Sequence, residues 1–196
     1  MDLRSFLFTK RSFTPIPIVL MILYFSDPTY PFWAYGFFLI LIGEFIRINA
    51  VSYAGGRTRT IKVGADSLCI SGPYSRTRNP LYIGNLFIYG GVVLFSGGEY
   101  MIQLFFIVII FFVFQYSMIV SLEEEKLLTL FGQSYLEYKK NVPRIIPQIK
   151  AWNNNQKRDP IGLYKTLKTE KRTLQNMFLI IILIISKEHI IKFVLL

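Results

Sequence analysis

The sequence predicts an all-α, polytopic membrane protein with about five transmembrane helices plus a cytoplasmic amphipathic helix. Three observations carry that prediction. The chain is 53% hydrophobic and only 17% charged, where soluble domains run at about 45–50% and about 25%. Its apolar residues come in blocks, which read as separate spans rather than as one large core. Its basic residues alternate between connecting segments, as the positive-inside rule requires.

Taken in order, a short apolar patch at 3–8 is cut by Lys10 and Arg11. SFTPIPIVLMILYF (12–25) is brief for a span, which needs roughly 20 residues, so it is expected to borrow from the N-terminus or to tilt little. FWAYGFFLILIGEFIRINAV (32–51) is a full-length candidate. LYIGNLFIYGGVVLFSGG (81–98) and YMIQLFFIVIIFFVFQYSMIV (100–120) are separated only by a tight GGE turn, which predicts an antiparallel helical hairpin. Leu128, Phe131, Tyr135, Tyr138 and Val142 then recur at steps of three and four, predicting an amphipathic helix from 121 to Asn141 that Pro143 ends. NMFLIIILIISKEHIIKFVLL (176–196) is interrupted by Lys187, Glu188 and Lys192, and either spans or lies partly in the interface. The organisation expected is a transmembrane core over 1–150, a polar basic linker and helix over 151–175, and a C-terminal hydrophobic helix over 176–196.

Charge placement orients this layout. The loop 52–80 holds Arg57, Arg59, Lys62, Arg76 and Arg78, and 122–173 holds most of the remaining cations. The turns at 26–31 and 96–100 carry only Asp27 and Glu99. The N-terminus and the two basic segments are therefore expected to face the cytoplasm. A net charge of +10 then reads as contact with anionic headgroups, and the scatter of these juxtamembrane cations argues against nucleic acid. One cysteine, Cys69, and one histidine, His189, offer no disulfide framework, no zinc or haem cluster and no Ser-His-Asp machinery. Both are read as silent.

Two blocks hold the unusual polar residues. In SGPYSRTRNPLYIGN (71–85), Gly72-Pro73 marks a turn and Asn79 is biased away from helix by the proline after it. Pro80 suits a first helical turn, and a helix start beside Arg76 and Arg78 is a place for an anionic group. Arginines that only snorkel to headgroups are the plainer reading, but lipid anchoring needs none of Tyr82, Gly84 and Asn85. In the second block Glu123, Glu124 and Glu125 stand where the fourth span leaves the membrane. They either solvate the helix start or, set against an anionic leaflet, await a positively charged ligand. Glu44 and Arg47, at i and i+3 within the second span, share a face and can pair, as a structural lock or a functional site.

GPYSRTRNPLYIGN followed by EEEKLLTLFGQSYLEYKKNVPRIIP resembles the isoprenylcysteine carboxyl methyltransferase family and, more broadly, the phospholipid-methyltransferase group of small membrane enzymes. The family pattern is Gly-Pro-Tyr, Arg-(His or Asn)-Pro-x-Tyr-x-Gly, Glu-Glu, Phe-Gly-x-x-Tyr and Val-Pro-Arg, all present here in order over roughly residues 40–150. The resemblance implies a membrane enzyme that uses S-adenosyl-L-methionine. Arg78, Asn79, Pro80, Tyr82 and Gly84 would help form the cofactor pocket, Gly72, Pro73 and Tyr74 would shape its approach, and Glu123 and Glu124 match the pair that contacts the cofactor. Its ammonium and sulfonium suit carboxylates, and its carboxylate suits an arginine near a helix start.

Two departures stand out. Asn79 replaces the histidine of the eukaryotic enzymes, and VFQYSMIVSLEEE lacks their arginine ahead of the glutamates. Arg144 of VPR is the substitute candidate for holding an anionic substrate group, and with Glu123 completes the expected catalytic set; no metal is called for. The expected acceptor is lipophilic, a prenylated or other lipid-like carboxylate reached laterally from the bilayer. The rival readings are a membrane NAD(P)H-dependent reductase of the sterol-reductase kind, and a non-enzymatic membrane protein whose polar blocks only set topology.

Overall fold

A computed structural model describes residues 2–55, 64, 67–153 and 158–194, with backbone alone for 188–194. Arg57, Arg59, Lys62 and the side chain of His189 lie outside the described residues. The described chain is helical: α1 (Leu3–Lys10), α2 (Ile16–Phe25), α3 (Phe32–Ala54), α4 (Pro80–Ser96), α5 (Met101–Asn141) and α6 (Leu163–Val194), with a 3-10 turn at Gly72–Ser75.

Two of these helices, α3 and α5, are long and apolar enough to cross a membrane. α2 and α4 are apolar but shorter, at 10 and 17 residues, so at 1.5 Å per residue α2 covers about half of a ~30 Å hydrocarbon layer. Among the described residues, two of the five expected spans, 32–51 and 100–120, fall in helices that meet this length and composition test. The run at 12–25 does not join the apolar patch before it: residues 11–15 turn, and α2 begins only at Ile16, with Pro17 in its first turn. Around the perimeter, large apolar side chains face outward, among them Phe45 at 72% and Ile110 at 66% exposure. Such a continuous apolar exterior suits membrane association.

The α3–α4 contact is built on glycine. Gly36 and Gly43 on α3 oppose Gly91 and Gly84 on α4, seven residues apart on each helix. A Cβ on Gly36 would sit 2.2 Å from the Phe95 nitrogen, and one on Gly43 2.7 Å from the Gly84 oxygen. Without side chains at these four positions, the two backbones approach closely there, flanked by Ile40, Arg47 and Ile88. α4 then returns as α5 through Gly97 and Gly98, both at positive φ. The expected hairpin forms, antiparallel, with Tyr89 stacked on Phe112 at 3.7 Å and Tyr82 against Tyr116 at 4.6 Å.

α5 is one helix to Phe131. The stretch expected as a separate amphipathic helix is its continuation, because Glu, Lys and Leu after 120 are good helix formers and nothing interrupts them. The break comes at Gly132, whose φ of 50° and ψ of −121° only glycine adopts readily. Tyr135, Tyr138 and Val142 past the break are buried, while Leu128 before it is 40% exposed. α6 starts at Leu163, within the expected linker region, and continues without a break past residue 176. It runs the length of the bundle: Ile161 just before it donates to the Ser52 carbonyl, and Lys187 near its far end donates to the carbonyls of Tyr24 and Ser26.

The two ends of the bundle differ. At one end the turns meet, with Asp27 N donating to Ser96 O at 2.7 Å. At the other lie α1, the 72–79 segment, the end of α5 and the loop to 152, tied by Arg4 to Glu125 and by backbone bonds between 75–78 and 143–152.

Candidate functional site

The site grows from the turn before α4. Gly72 holds φ +58°, and a Cβ there would come within 2.4 Å of the Tyr53 ring, so only glycine closes this turn. Pro73 and Tyr74 follow in the 3-10 turn, which Ser75 Oγ caps by donating to Gly72 O. Pro80 starts α4 at its first position, with Asn79 as N-cap. The Asn79 side chain does not cap the helix. It donates from Nδ2 to the Arg144 carbonyl at 2.9 Å, and so makes no capping hydrogen bond to the first turn of α4.

The acidic start of the α5 extension meets this turn directly. Arg78 donates to Glu124 Oε1 from Nη2 at 2.8 Å and from Nε at 3.2 Å. Its Nη1 donates to the carbonyls of Val142 at 2.6 Å and Lys139 at 3.0 Å, which are the open acceptors at the end of α5. Arg144 Nε stands 3.3 Å from the same Glu124 oxygen, an ion pair in which this nitrogen is buried and makes no hydrogen bond among the described residues. Tyr82, in the first turn of α4, donates from its hydroxyl to Glu123 Oε1 at 3.0 Å. Beneath, Tyr138 donates to the Tyr74 carbonyl at 2.8 Å, and Tyr135, Val142 and Ile70 form a small second core. The guanidiniums of Arg78 and Arg144 thus face the carboxylate of Glu124, while the neighbouring Glu123 is held by the Tyr82 hydroxyl.

At 1.5 Å per residue only about 20 of the residues of α5 can lie in the hydrocarbon, and its apolar run ends at Val120. Glu123 stands just beyond. Burial pushes its carboxyl from 4.5 up to about 7, with Glu124 adding to the rise, while the Tyr82 hydroxyl and Arg11 act the other way. It is therefore poised between its two charge states near neutral pH. Burial likewise raises the Cys69 thiol, which disfavours its thiolate.

The residues singled out in the sequence fall into three places. Arg78, Asn79, Pro80, Tyr82, Glu123, Glu124 and Arg144 converge on the junction. Gly72 and Pro73 line a cavity of about 370 Å³ with Asn49, Tyr53, Ser75, Arg76 and Ala151, whose walls include neither glutamate. Gly84 sits in the α3–α4 seam against Gly43 and Arg47. The pair expected between Glu44 and Arg47 does not form. Arg47 instead donates to Asn85 on α4 and Glu170 on α6, and both Glu44 oxygens are buried without a hydrogen-bond partner among the described residues. Glu170 was not foreseen: it lies 123 residues from its partner, and no local spacing encodes such a contact.

The phospholipid methyltransferase family matches residues 32–134. A protein-S-isoprenylcysteine O-methyltransferase from Xenopus laevis is 34% identical over 121 residues, 59% of this chain and 41% of that protein. One from Schizosaccharomyces pombe is 32% identical over 114 residues, 56% of this chain and 47% of that protein. The chain thus spans less than half the length of these curated relatives in the matched region, and no solved structure matches it. With the family's pattern extending over more than half of its residues, from α3 through the break in α5, the chain belongs to the phospholipid methyltransferase family.

Proposed function

We propose that this chain is an integral membrane methyltransferase that uses S-adenosyl-L-methionine to methylate a lipophilic acceptor, a prenylcysteine-like or other lipid carboxylate, at the cytoplasmic membrane face. The observation that carries the reading is the junction of Tyr82–Glu123 with Arg78–Glu124–Arg144 beside the start of α4. The names of the two relatives support the carboxylate acceptor. The gathering of the basic segments at one end of the bundle supports the cytoplasmic placement. In this reading the shorter apolar helices α2 and α4, with α6, complete the membrane-embedded bundle around α3 and α5.

The chemistry of the donor set fits the cofactor. Glu123 and Glu124 are acceptors for a cationic group or a ribose diol, and the unbonded Arg144 Nε is a buried donor for an anion. When bound, S-adenosyl-L-methionine would supply an electrophilic methyl carbon, which an acceptor carboxylate oxygen would take with the sulfur as leaving group and no proton to move. The protein's residues then have only to bind, align and keep water out. Glu123 holds the cationic end, fixed by the Tyr82 hydroxyl. Arg78, occupied on all sides, positions Glu124 and closes the end of α5. Arg144 holds the acceptor's carboxylate. No base is required, because that carboxylate is already ionised at neutral pH, which suits a junction without histidine.

The test is methyl transfer from labelled S-adenosyl-L-methionine by the full chain in proteoliposomes, with a farnesylated cysteine or a whole lipid extract as acceptor. A carboxyl methyl ester releases its label as volatile methanol in base. Base-stable label on a lipid amine would reassign the acceptor, and no label on any lipid would overturn the reading.

A further inference from the structure

The loop 143–152 turns apolar side chains outward although its backbone is firmly held. Pro143 O accepts from Arg78 N, and Ile145 O from the Thr77 hydroxyl, each at 2.9 Å. Gln148 N donates to Arg76 O, and Trp152 N to Ser75 O, again at 2.9 Å. The loop therefore lies alongside 75–78, within five residues of Pro80, where α4 enters the apolar bundle. Fixed at that level, Ile146 is 81% and Ile149 93% exposed. Lys139, Lys140, Lys150 and Arg76 are exposed around them, and 139–152 contains no carboxylate. Trp152 stacks on Tyr138 at 5.9 Å rather than covering the isoleucines.

Exposed isoleucines on a held loop, with exposed cations on the same and adjoining segments and close in the chain to the start of α4, match the headgroup–acyl boundary of an anionic leaflet in both polarity and charge. We propose that this loop is an interfacial anchor: Ile146 and Ile149 insert below the headgroups, with Arg76 and Lys150 against the phosphates. The inference rests on the reading of the bundle as membrane-embedded, and it specifies that reading at the site. Arg144 belongs to the same loop and reaches Glu124, so the anchor brings the lipid boundary to the junction, where an acceptor's polar end would arrive.

The experiment places single cysteines at Ile146 and Ile149 in a full-length Cys69→Ser background, labels them with a polarity-sensitive fluorophore and reconstitutes the protein in phosphatidylcholine–phosphatidylglycerol nanodiscs. Ile110→Cys, on the outward face of α5, and Glu137→Cys, exposed past the break, are the membrane and water references. Both loop positions are expected to show blue-shifted emission quenched best by lipids brominated near the glycerol, with Ile110 quenched best by deep bromines and Glu137 by neither. If the loop probes behave like Glu137 while Ile110 is quenched, the anchor is wrong and the membrane reading stands. If Ile110 is unquenched as well, both fall. Blue-shifted but unquenched loop probes would mean that protein covers the patch, a second copy included, and would also overturn the anchor.

Discussion

Replacing Arg78 by alanine tests whether this residue is a clamp within the protein or a contact for a ligand. The side chain is 8% exposed and its partner Glu124 13%. Four donor–acceptor contacts are lost together: two to Glu124 Oε1 and one each to the carbonyls of Lys139 and Val142. Breaking a buried pair by removing one partner costs about 3–5 kcal/mol. Arg144, 3.3 Å from Glu124, inherits part of the charge and lowers that figure, whereas the open carbonyls at the end of α5 raise it. A net loss of about 3 kcal/mol follows, roughly a hundredfold or more in the unfolding equilibrium. Arg78→Lys should recover only part of this, since one ammonium cannot serve three acceptors in a planar fork. The assay is unfolding in mixed micelles without ligand, with Glu124→Ala and the double variant closing a cycle whose coupling is expected at about 1–2 kcal/mol. An Arg78→Ala protein as stable as the parent, yet unable to bind S-adenosylhomocysteine, would refute the clamp and return Arg78 to direct ligand contact.

Further expectations follow from other contacts. A cation held by Glu123 binds its ionised form, so the affinity for S-adenosylhomocysteine, which keeps the ammonium, should rise about tenfold between pH 6 and pH 8 and be flat in Glu123→Gln. The unliganded protein should behave oppositely: a carboxyl raised from 4.5 to about 7 lends its stability below 4.5 and loses it as pH climbs through 7, a loss that Glu123→Gln removes. Gly36→Ala, whose Cβ meets backbone, should cost about 3 kcal/mol in unfolding assays. Gly132→Ala meets nothing within 4 Å, so its cost of about 1–3 kcal/mol is conformational alone. Glu170→Ala strands Arg47 in the bundle and should destabilise by about 3 kcal/mol, while Arg47→Met in the same chain should relieve much of that loss.

Much of the bundle could be read from local pattern. The GGE turn between two apolar runs fixed the α4–α5 hairpin, and the ordered motifs brought the arginine and glutamate blocks into one place, because Pro80 and the acidic run each mark a helix position near the same end. What local pattern could not reveal was who would satisfy whom. Arg78 and Asn79 looked free for a ligand in one dimension, but α5 continues past 120 and then breaks at Gly132, returning Lys139, Val142 and Arg144 to them. Gly84 looked like part of a pocket, yet its role here depends on Gly43 of another helix. Arg47 had an acid three residues away and chose one 123 residues away instead, since α6 brings Glu170 into the bundle. Apolar runs were also weighed by length alone, and 12–25 lost its N-terminal share to the turn at 11–15.

Calorimetric titration of the detergent-solubilised full chain with S-adenosylhomocysteine and, separately, NADPH puts the whole account at stake in one measurement. The junction of Glu123 with Tyr82 and of Glu124 with Arg78 and Arg144 predicts saturable heat with S-adenosylhomocysteine only, weakened at least tenfold by Glu123→Gln. Heat with NADPH alone, or with neither, contradicts it.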